Sequence, residues 1–453
     1  MTTSLMWFRR DLRLHDHPAL AAAATDGPVL PVFVLDPALL ATAGPVRTHC
    51  LFEALGALHG ATDGALVLRT GRPSEVLPAL AREVGADSVH VSAETTPYGR
   101  RRDERVEQAL GEVELVRTGS PYAVTPGRVR NGSGDAYQVF SPFYRAWQQH
   151  GWRDPADLPR DLAWARADSE ELPEDPLDRL AERPELPVVT EAAARKRYAH
   201  FFDALLSGYS TDRDRPDLDG TSQLSVQLKY GTVHPRTLLA GLTGRGLTEE
   251  AAAGVERFRT ELSWREFYAD VVWNQPSSAW SDLKPALASM VYDEPGADFE
   301  AWQAGRTGYP MVDAGMRQLL AIGWVHNRVR MLTASFLVKD LHLHWSHGAR
   351  HFLHHLRDGD VASNNHGWQW VAGTGTDASP YFRVFNPVTQ GQKFDPAGDY
   401  VRRWVPELRH LPGKKVQEPW TAEGGYDHGY PERVVDHAEE RLEALRRYEA
   451  ARR

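Results

Sequence analysis

The residues best able to do chemistry gather between Trp324 and Pro387. There Trp324, Trp345, Trp368 and Trp370 lie among Arg328, Arg330, Arg350, Arg357 and Arg383, and the acids Asp358 and Asp360 precede the amide pair Asn364-Asn365. Exposing an indole is unfavourable and burying an unpaired charge is costly, so this mixture suits the lining of a cavity. At about 100° per residue on a helix, Asn327 shares a face with Arg330 and Met331, and Asn364 shares one with Trp368. Trp368 and Trp370 would point about 200° apart, one toward a bound ring system and the other toward a second ligand. A buried aromatic cluster with satisfied polar neighbours has the same composition, and the pattern alone leaves both open.

A second set lies in RFRTELSWREFYADVVW, where Glu261, Trp264, Arg265 and Tyr268 fall at i, i+3, i+4 and i+7. Such a face is poor core and good pocket wall. The indole could stack on a planar ligand and the carboxylate could bind an imide or amine; an intrahelical Glu261–Arg265 ion pair is the competing account. In GTSQLS, the hydroxyls of Thr221, Ser222 and Ser225 at a helix start suit a phosphate or pyrophosphate, or merely cap the helix. The histidines at 342, 344, 347, 351, 354 and 355 place His347 and His351 at i, i+4, but no third metal ligand is evident. Neither a GxSxG nucleophile nor a Walker loop occurs.

The elements that must position these groups follow from the rest of the chain. With 453 residues there is room for two or three domains, and a single cysteine, Cys50, fits a reducing cytosol. The beginning of the chain lacks a signal-peptide pattern and no segment approaches a membrane span, so a cytoplasmic protein is expected. A net charge of −9 argues mildly against a general nucleic-acid coat but leaves room for a local basic patch. Short apolar runs at 5–9, 28–36, 65–71, 87–94 and 113–118 alternate with helical segments such as 17–24, 47–58 and 100–110. Strands spaced by helices predict a doubly wound parallel sheet over residues 1–125, Rossmann-like but without GxGxxG. Arg9, Arg10 and Arg13 follow the first strand at the ligand-binding edge; they could face an anion or pair with Asp11 and Asp16. Residues 126–195, rich in Pro, Gly and acids, read as a surface connector with one helix at 141–150. From there to 453 the pattern is all-α.

Taken together, WFRRDLRLHDHPAL, GTSQLS, ELSWREFY, GRTGYPMVDAGMRQL, WVHNRVRM, DGDVASNNHGWQW and TGTDASPYFRVFNP strongly resemble the DNA photolyase/cryptochrome family along almost the whole chain. The likeness is greatest to class I cyclobutane pyrimidine dimer photolyases, on WVHNRVRM. It implies an α/β antenna domain, a linker (126–195), and a helical domain (196–453) that binds a folded FAD.

By the same resemblance, FAD would be held by Tyr209, Thr221, Ser222, Gln223, Leu224 and Ser225, with Arg265, Arg330, Asp358 and Asp360 around the isoalloxazine and ribityl groups. Asn364 would sit against the flavin's central-ring nitrogen. Glu261, Trp264, Asn327, Arg328, Met331 and Trp370 would line the dimer pocket, and Arg213, Arg383 and Gln390 would touch DNA. Glu261 would stabilise the dimer radical anion. Trp368 and Trp345 match the inner members of the family's three-Trp reducing wire, but the outer position is Tyr292. Tyr98-Gly99 stands where folate-binding relatives carry Asn-Glu, so 8-hydroxy-5-deazaflavin is favoured as antenna over folate. Light-driven repair of ultraviolet-damaged DNA by a monomer, away from membranes, is the expected activity; a blue-light sensor signalling through a protein partner is the alternative.

Overall fold

The computed structural model describes residues 3–25, 27–243, 248–377, 380 and 383–452. By contacts the chain divides into two compact units: Met1–Leu206, Ser222–Pro276 and Arg357–Ala362 in the first, Ser207–Thr221, Ser277–Leu356 and Ser363–Arg453 in the second.

In the first unit, β1 (Thr3–Phe8), β2 (Val29–Leu35), β3 (Val67–Thr70), β4 (Ala86–Val91) and β5 (Glu114–Arg117) form one parallel sheet in the order β3-β2-β1-β4-β5. All seven residues of β2 are buried, as continuous apolar runs covered on both faces require. The two-residue period of β1 sends Met6 and Phe8 into one core and Leu5 and Trp7 into the other. The crossover helices Pro18–Ala23, Pro45–Ala61, Pro73–Val84 and Pro97–Leu110 each begin at a proline, whose fixed φ and missing N–H cost nothing there. Pro73–Val84 also carries Pro78 in its interior.

The connector is less superficial than expected. Its helix, Phe140–His150, buries Phe140, Phe143 and Trp147. Further on, Trp164 makes a parallel bridge with Val29, and Glu170 N donates to Leu68 O at 3.0 Å along the edge of β3. Open strand edges need cover, and this segment supplies it.

Among the described residues every element after β5 is helical. The first unit includes Ser225–Tyr230, Pro235–Gly241 and the 26-residue helix Glu249–Asn274. These join the sheet because Leu12 N donates to Tyr230 O at 3.0 Å and Arg236 pairs with Asp16 at 2.6 Å. At Gly231 (φ +66°) a Cβ would lie 2.0 Å from the carbonyl oxygen of Arg10, so only glycine admits that approach. The second unit packs Pro310–Ile322, Asn327–Lys339, Trp345–His355, most of Val361–Ala372 and the shorter helices that follow around Trp302, Tyr309, Phe336, Trp345 and Tyr400.

Candidate functional site

Helix Glu249–Asn274 starts where Thr248 accepts the N–H of Ala251, and it carries the predicted Glu261–Tyr268 face. The Glu261–Arg265 pair considered from sequence is replaced by other partners. Half-buried Glu261 meets Arg257, one turn earlier, at 3.3 Å. Arg265 lies over Tyr122 at 4.4 Å and donates to the carbonyls of Pro121 (3.0 Å) and Leu228 (3.2 Å). A guanidinium packed on a ring keeps its donors in the ring plane, where these carbonyls satisfy it. Trp264 does stack, but on Phe140, 3.7 Å away and 7° from parallel, so one indole face is taken from within the chain. Glu266, missed from sequence, is buried and accepts the N–H groups of Ala123 (2.5 Å), Val124 (3.1 Å) and the Trp147 indole (2.6 Å). Burial raises its pKa against those bonds. It anchors the start of the connector to this helix.

Along 222–225, no side chain caps helix Ser225–Tyr230, whose N-cap residue is Leu224. The plain N-cap reading of GTSQLS therefore falls. Ser222 Oγ accepts Leu224 N at 3.4 Å, its carbonyl accepts Arg197 Nε at 2.9 Å, and Gln223 sits at φ +51°, a conformation uncommon outside glycine. Asp360 pairs with Arg10 at 2.7 Å, and Arg10 reaches Glu94 at 3.6 Å. Lys229 lies in this charged group; burial first, then Arg10, push its ammonium down to about 7. Asp358 and Asp360 are both nearly buried.

Of the arginines after β1, Arg9 and Arg10 pair with acids distant in sequence, whereas Arg13 bonds main-chain carbonyls. Arg9 joins Asp103 at 2.7 Å, Arg10 joins Asp360, and Arg13 donates to the carbonyls of Asp16 (2.6 Å) and Gly231 (2.9 Å). Asp11 and Asp16 take His17 and Arg236 instead. At the same carboxyl edge the Tyr98 hydroxyl donates to Asp36, and a Cβ at Gly99 would strike Glu94 at 1.8 Å.

In the second unit the geometry fixes what Asn364 can offer. Asn365 donates to the Ala279 carbonyl, which turns its own oxygen toward Asn364. Asn364 Nδ2 then donates both hydrogens, to Asn365 Oδ1 (2.8 Å) and Ala349 O (3.0 Å). Neither partner can donate there, so the side chain presents its carbonyl oxygen as an acceptor.

Trp368 lies in the core, and Trp370 is only partly buried against it, in keeping with their opposed directions. A Cβ on Gly348 would fall 2.1 Å from the Trp368 ring, so glycine lets that indole close on helix Trp345–His355. Fully buried Trp345 donates through Nε1 to Asp282 Oδ1 at 2.6 Å. His344 stands 5.4 Å from Trp345 and meets Tyr292 edge-on at 5.0 Å. Trp302, also fully buried, is 6.1 Å from Trp368.

At the start of Asn327–Lys339, exposed Asn327 and half-buried Arg328 each lie 3.8 Å from the Met331 sulfur, and Arg328 pairs with Asp214 at 2.8 Å. Arg330, at i+3 from Asn327 on the same helix, donates to Val325 O at 2.7 Å. Tyr209 and Arg213 are buried, the guanidinium 5.9 Å from the ring, an inward placement for a residue expected on DNA. Arg383 is exposed and Gln390 half-buried. Within TGTDASPYFRVFNP, Ala378, Ser379, Tyr381 and Phe382 lie outside the described residues. Among the described residues no cluster of three or more His, Cys, Asp or Glu is arranged to hold a metal. The histidines have other partners: His342 pairs with Glu440 at 2.7 Å, and His351 bonds Gln303 at 3.1 Å.

Comparison with known proteins matches residues 4–161 to the DNA photolyase family and residues 258–450 to the FAD binding domain of DNA photolyase. A deoxyribodipyrimidine photo-lyase of Streptomyces griseus is 40% identical, covering 100% of this chain and 99% of that protein. A bacterial class III photolyase from Agrobacterium tumefaciens has a TM-score of 0.90 at 36% identity, covering 100% of this chain and 98% of the other. An archaeal photolyase from Sulfolobus tokodaii, solved with two FAD molecules, gives 0.84 at 27%, covering 99% and 100%.

Proposed function

The chain belongs to the DNA photolyase family, and from that premise we propose that it repairs cyclobutane pyrimidine dimers in DNA by light-driven electron transfer from reduced FAD. The observation that carries this is full-length identity of 40% to a deoxyribodipyrimidine photo-lyase. FAD, when bound, supplies light absorption and the electron.

The residues present fit that cofactor. Asn364 offers an acceptor, which suits an N–H of a reduced ring and not a bare nitrogen lone pair. The uncapped start of Ser225–Tyr230, with Ser222 and Ser225 beside it, offers N–H and hydroxyl donors for a diphosphate. Tyr209, Thr221, Gln223, Leu224, Arg265, Arg330, Asp358 and Asp360 complete the assigned flavin set. Glu261 is assigned the hydrogen bond to the lesion, and Trp264, Asn327, Arg328, Met331 and Trp370 its packing. A dimer pairs poorly, so extruding it from the duplex costs only about a few kcal/mol. We read residues 1–125 as the antenna domain, 126–195 as linker and 196–453 as the FAD- and DNA-binding domain. For the antenna we favour 8-hydroxy-5-deazaflavin, on Tyr98-Gly99 and the Asp36 contact at the sheet's carboxyl edge. We read the active species as a cytoplasmic monomer.

DNA binding in the dark tests the substrate assignment. Dimer-bearing oligonucleotides should bind at least tenfold more tightly than undamaged ones, and Arg383→Ala should weaken both and flatten the plot of log K against log salt by about one unit. Equal affinity for damaged and undamaged DNA would defeat the assignment.

A further inference from the structure

The second unit holds two fully buried indoles that could refill Trp368 after it gives up an electron, and their surroundings differ. Trp302, 6.1 Å from Trp368, donates its N–H to the neutral carbonyl of Thr333 at 3.1 Å, with Phe299 and Phe352 beside it. Trp345, on the helix that Trp368 approaches at Gly348, donates its N–H to the side chain of Asp282 at 2.6 Å. Beyond Trp345 the aromatic path continues through His344 to Tyr292.

We infer that Asp282 is a positioning residue for light-driven reduction of the bound flavin: its carboxylate stabilises oxidised Trp345 and so directs the electron path through Trp345 and not Trp302. This deepens the FAD reading and rests on it. The carboxylate already accepts a charge-assisted hydrogen bond from the neutral indole. Once the indole has lost an electron, attraction between opposite charges is added to that bond, and this added part favours the oxidised form. Burial makes the difference large, because Trp345 has no solvent to stabilise its positive charge. Asp282 is ionised for this purpose: burial works to raise its pKa, but bonds from His344 and Trp345 hold it below the usual carboxylate range. With oxidised FAD bound, Trp368 would give up one electron, Trp345 would refill Trp368, and an external one-electron donor of the thiol class would restore Trp345 by way of Tyr292, so that one electron enters for each one given up. No bond forms or breaks at Asp282. The outer tyrosine makes this stabilisation more consequential, since a phenol gives up an electron less readily than an indole unless its proton also leaves.

Time-resolved absorption of the FAD-loaded, oxidised protein after a light flash tests this. Asp282→Asn keeps the hydrogen-bond acceptor and removes the charge; it should cut the yield of long-lived oxidised Trp345 roughly tenfold. Asp282→Glu should restore it in large part. In ¹⁵N-tryptophan-labelled protein, the Trp345 indole N–H resonance, assigned by its loss in Trp345→Phe, should shift upfield in Asp282→Asn. A flavin-loaded Asp282→Asn protein with wild-type yield and lifetime overturns the inference alone. Failure of the wild-type protein to bind flavin overturns the cofactor reading with it.

Discussion

Asn364 shows how two neighbours decide what a neutral amide can offer. Both of its hydrogens go to oxygens that cannot donate in return, Ala349 O and Asn365 Oδ1. Replacing it by aspartate would set a carboxylate against two acceptors, which is a buried polar mismatch and not a conservative exchange. Asn364→Asp should therefore lower the free energy of unfolding by about 1–3 kcal/mol even in flavin-free protein, measured by thermal or denaturant unfolding. Unchanged stability would show that the amide does not make these bonds. The helical face shared by Asn364 and Trp368 was legible in the sequence, because it needs only a 3.6-residue period. The partners of Asn364 were not: Ala349 is on another helix, and main-chain oxygens leave no trace in residue type. The same limit hid the true partners of Glu261 and Arg265. Period identified their shared face, but whether an i, i+4 pair closes depends on competitors, here Arg257 and the carbonyls at 121 and 228.

Helix starts in this chain use histidine in an unusual way. His17, His234, His326 and His344 each stand at an N-cap and accept a main-chain N–H through the ring. Only a neutral imidazole has the lone pair for that bond. Burial, acting first, brings His234 and His326 down to about 4; beside His326, Arg328 and Arg213 act in the same direction while Asp214 opposes them. The sign follows from linkage. Each folded-state pKa lies below the unfolded value of about 6.5, so the unfolded chain binds more protons between those limits. Their contribution is full above about pH 6.5 and is lost as pH falls toward 4, on the order of 3 kcal/mol each. Asp340, raised by burial to about 6, opposes this trend as pH falls from about 6 toward 4, where the folded carboxyl holds a proton that the unfolded one has lost. Denaturant unfolding from about pH 7.5 down to about 4.5 should show stability falling with acid, and His326→Asn, which keeps a cap acceptor but cannot titrate, should flatten the slope. An identical slope in the variant would remove His326 from the account. Of these four only His344 belongs to the run 342–355 whose spacing raised a metal in the sequence; the capping role of the others left no mark there. The strands and crossovers were far more legible, because apolar runs bounded by Pro and Gly need no distant partner. Trp264 stacked on Phe140 is the opposite case: 124 positions separate them, and the connector's helix was visible only as a short amphipathic stretch.

At the scale of the molecule, the net charge of −9 conceals local arrangements that matter more, such as Arg10 and Lys229 around Asp360. The alternation of strands and helices, followed by a wholly helical half, could be read in advance because each class of element has its own hydrophobic period. The compact units could not, since residues 222–276 join the sheet through contacts such as Leu12–Tyr230 and Arg236–Asp16 that no local pattern encodes. The family's motifs supplied the roles that geometry alone does not assign, above all a lesion contact for Glu261. The central claim is that light, acting through the reduced flavin, splits pyrimidine dimers on this protein. It is tested most directly by illuminating the reduced, FAD-loaded protein with dimer-containing single- and double-stranded oligonucleotides and counting dimers against dark controls. The account predicts loss of dimers only in the light, and a repair yield at least roughly tenfold lower in Glu261→Ala with FAD still bound. Dimers that persist under illumination of a flavin-loaded protein would contradict it.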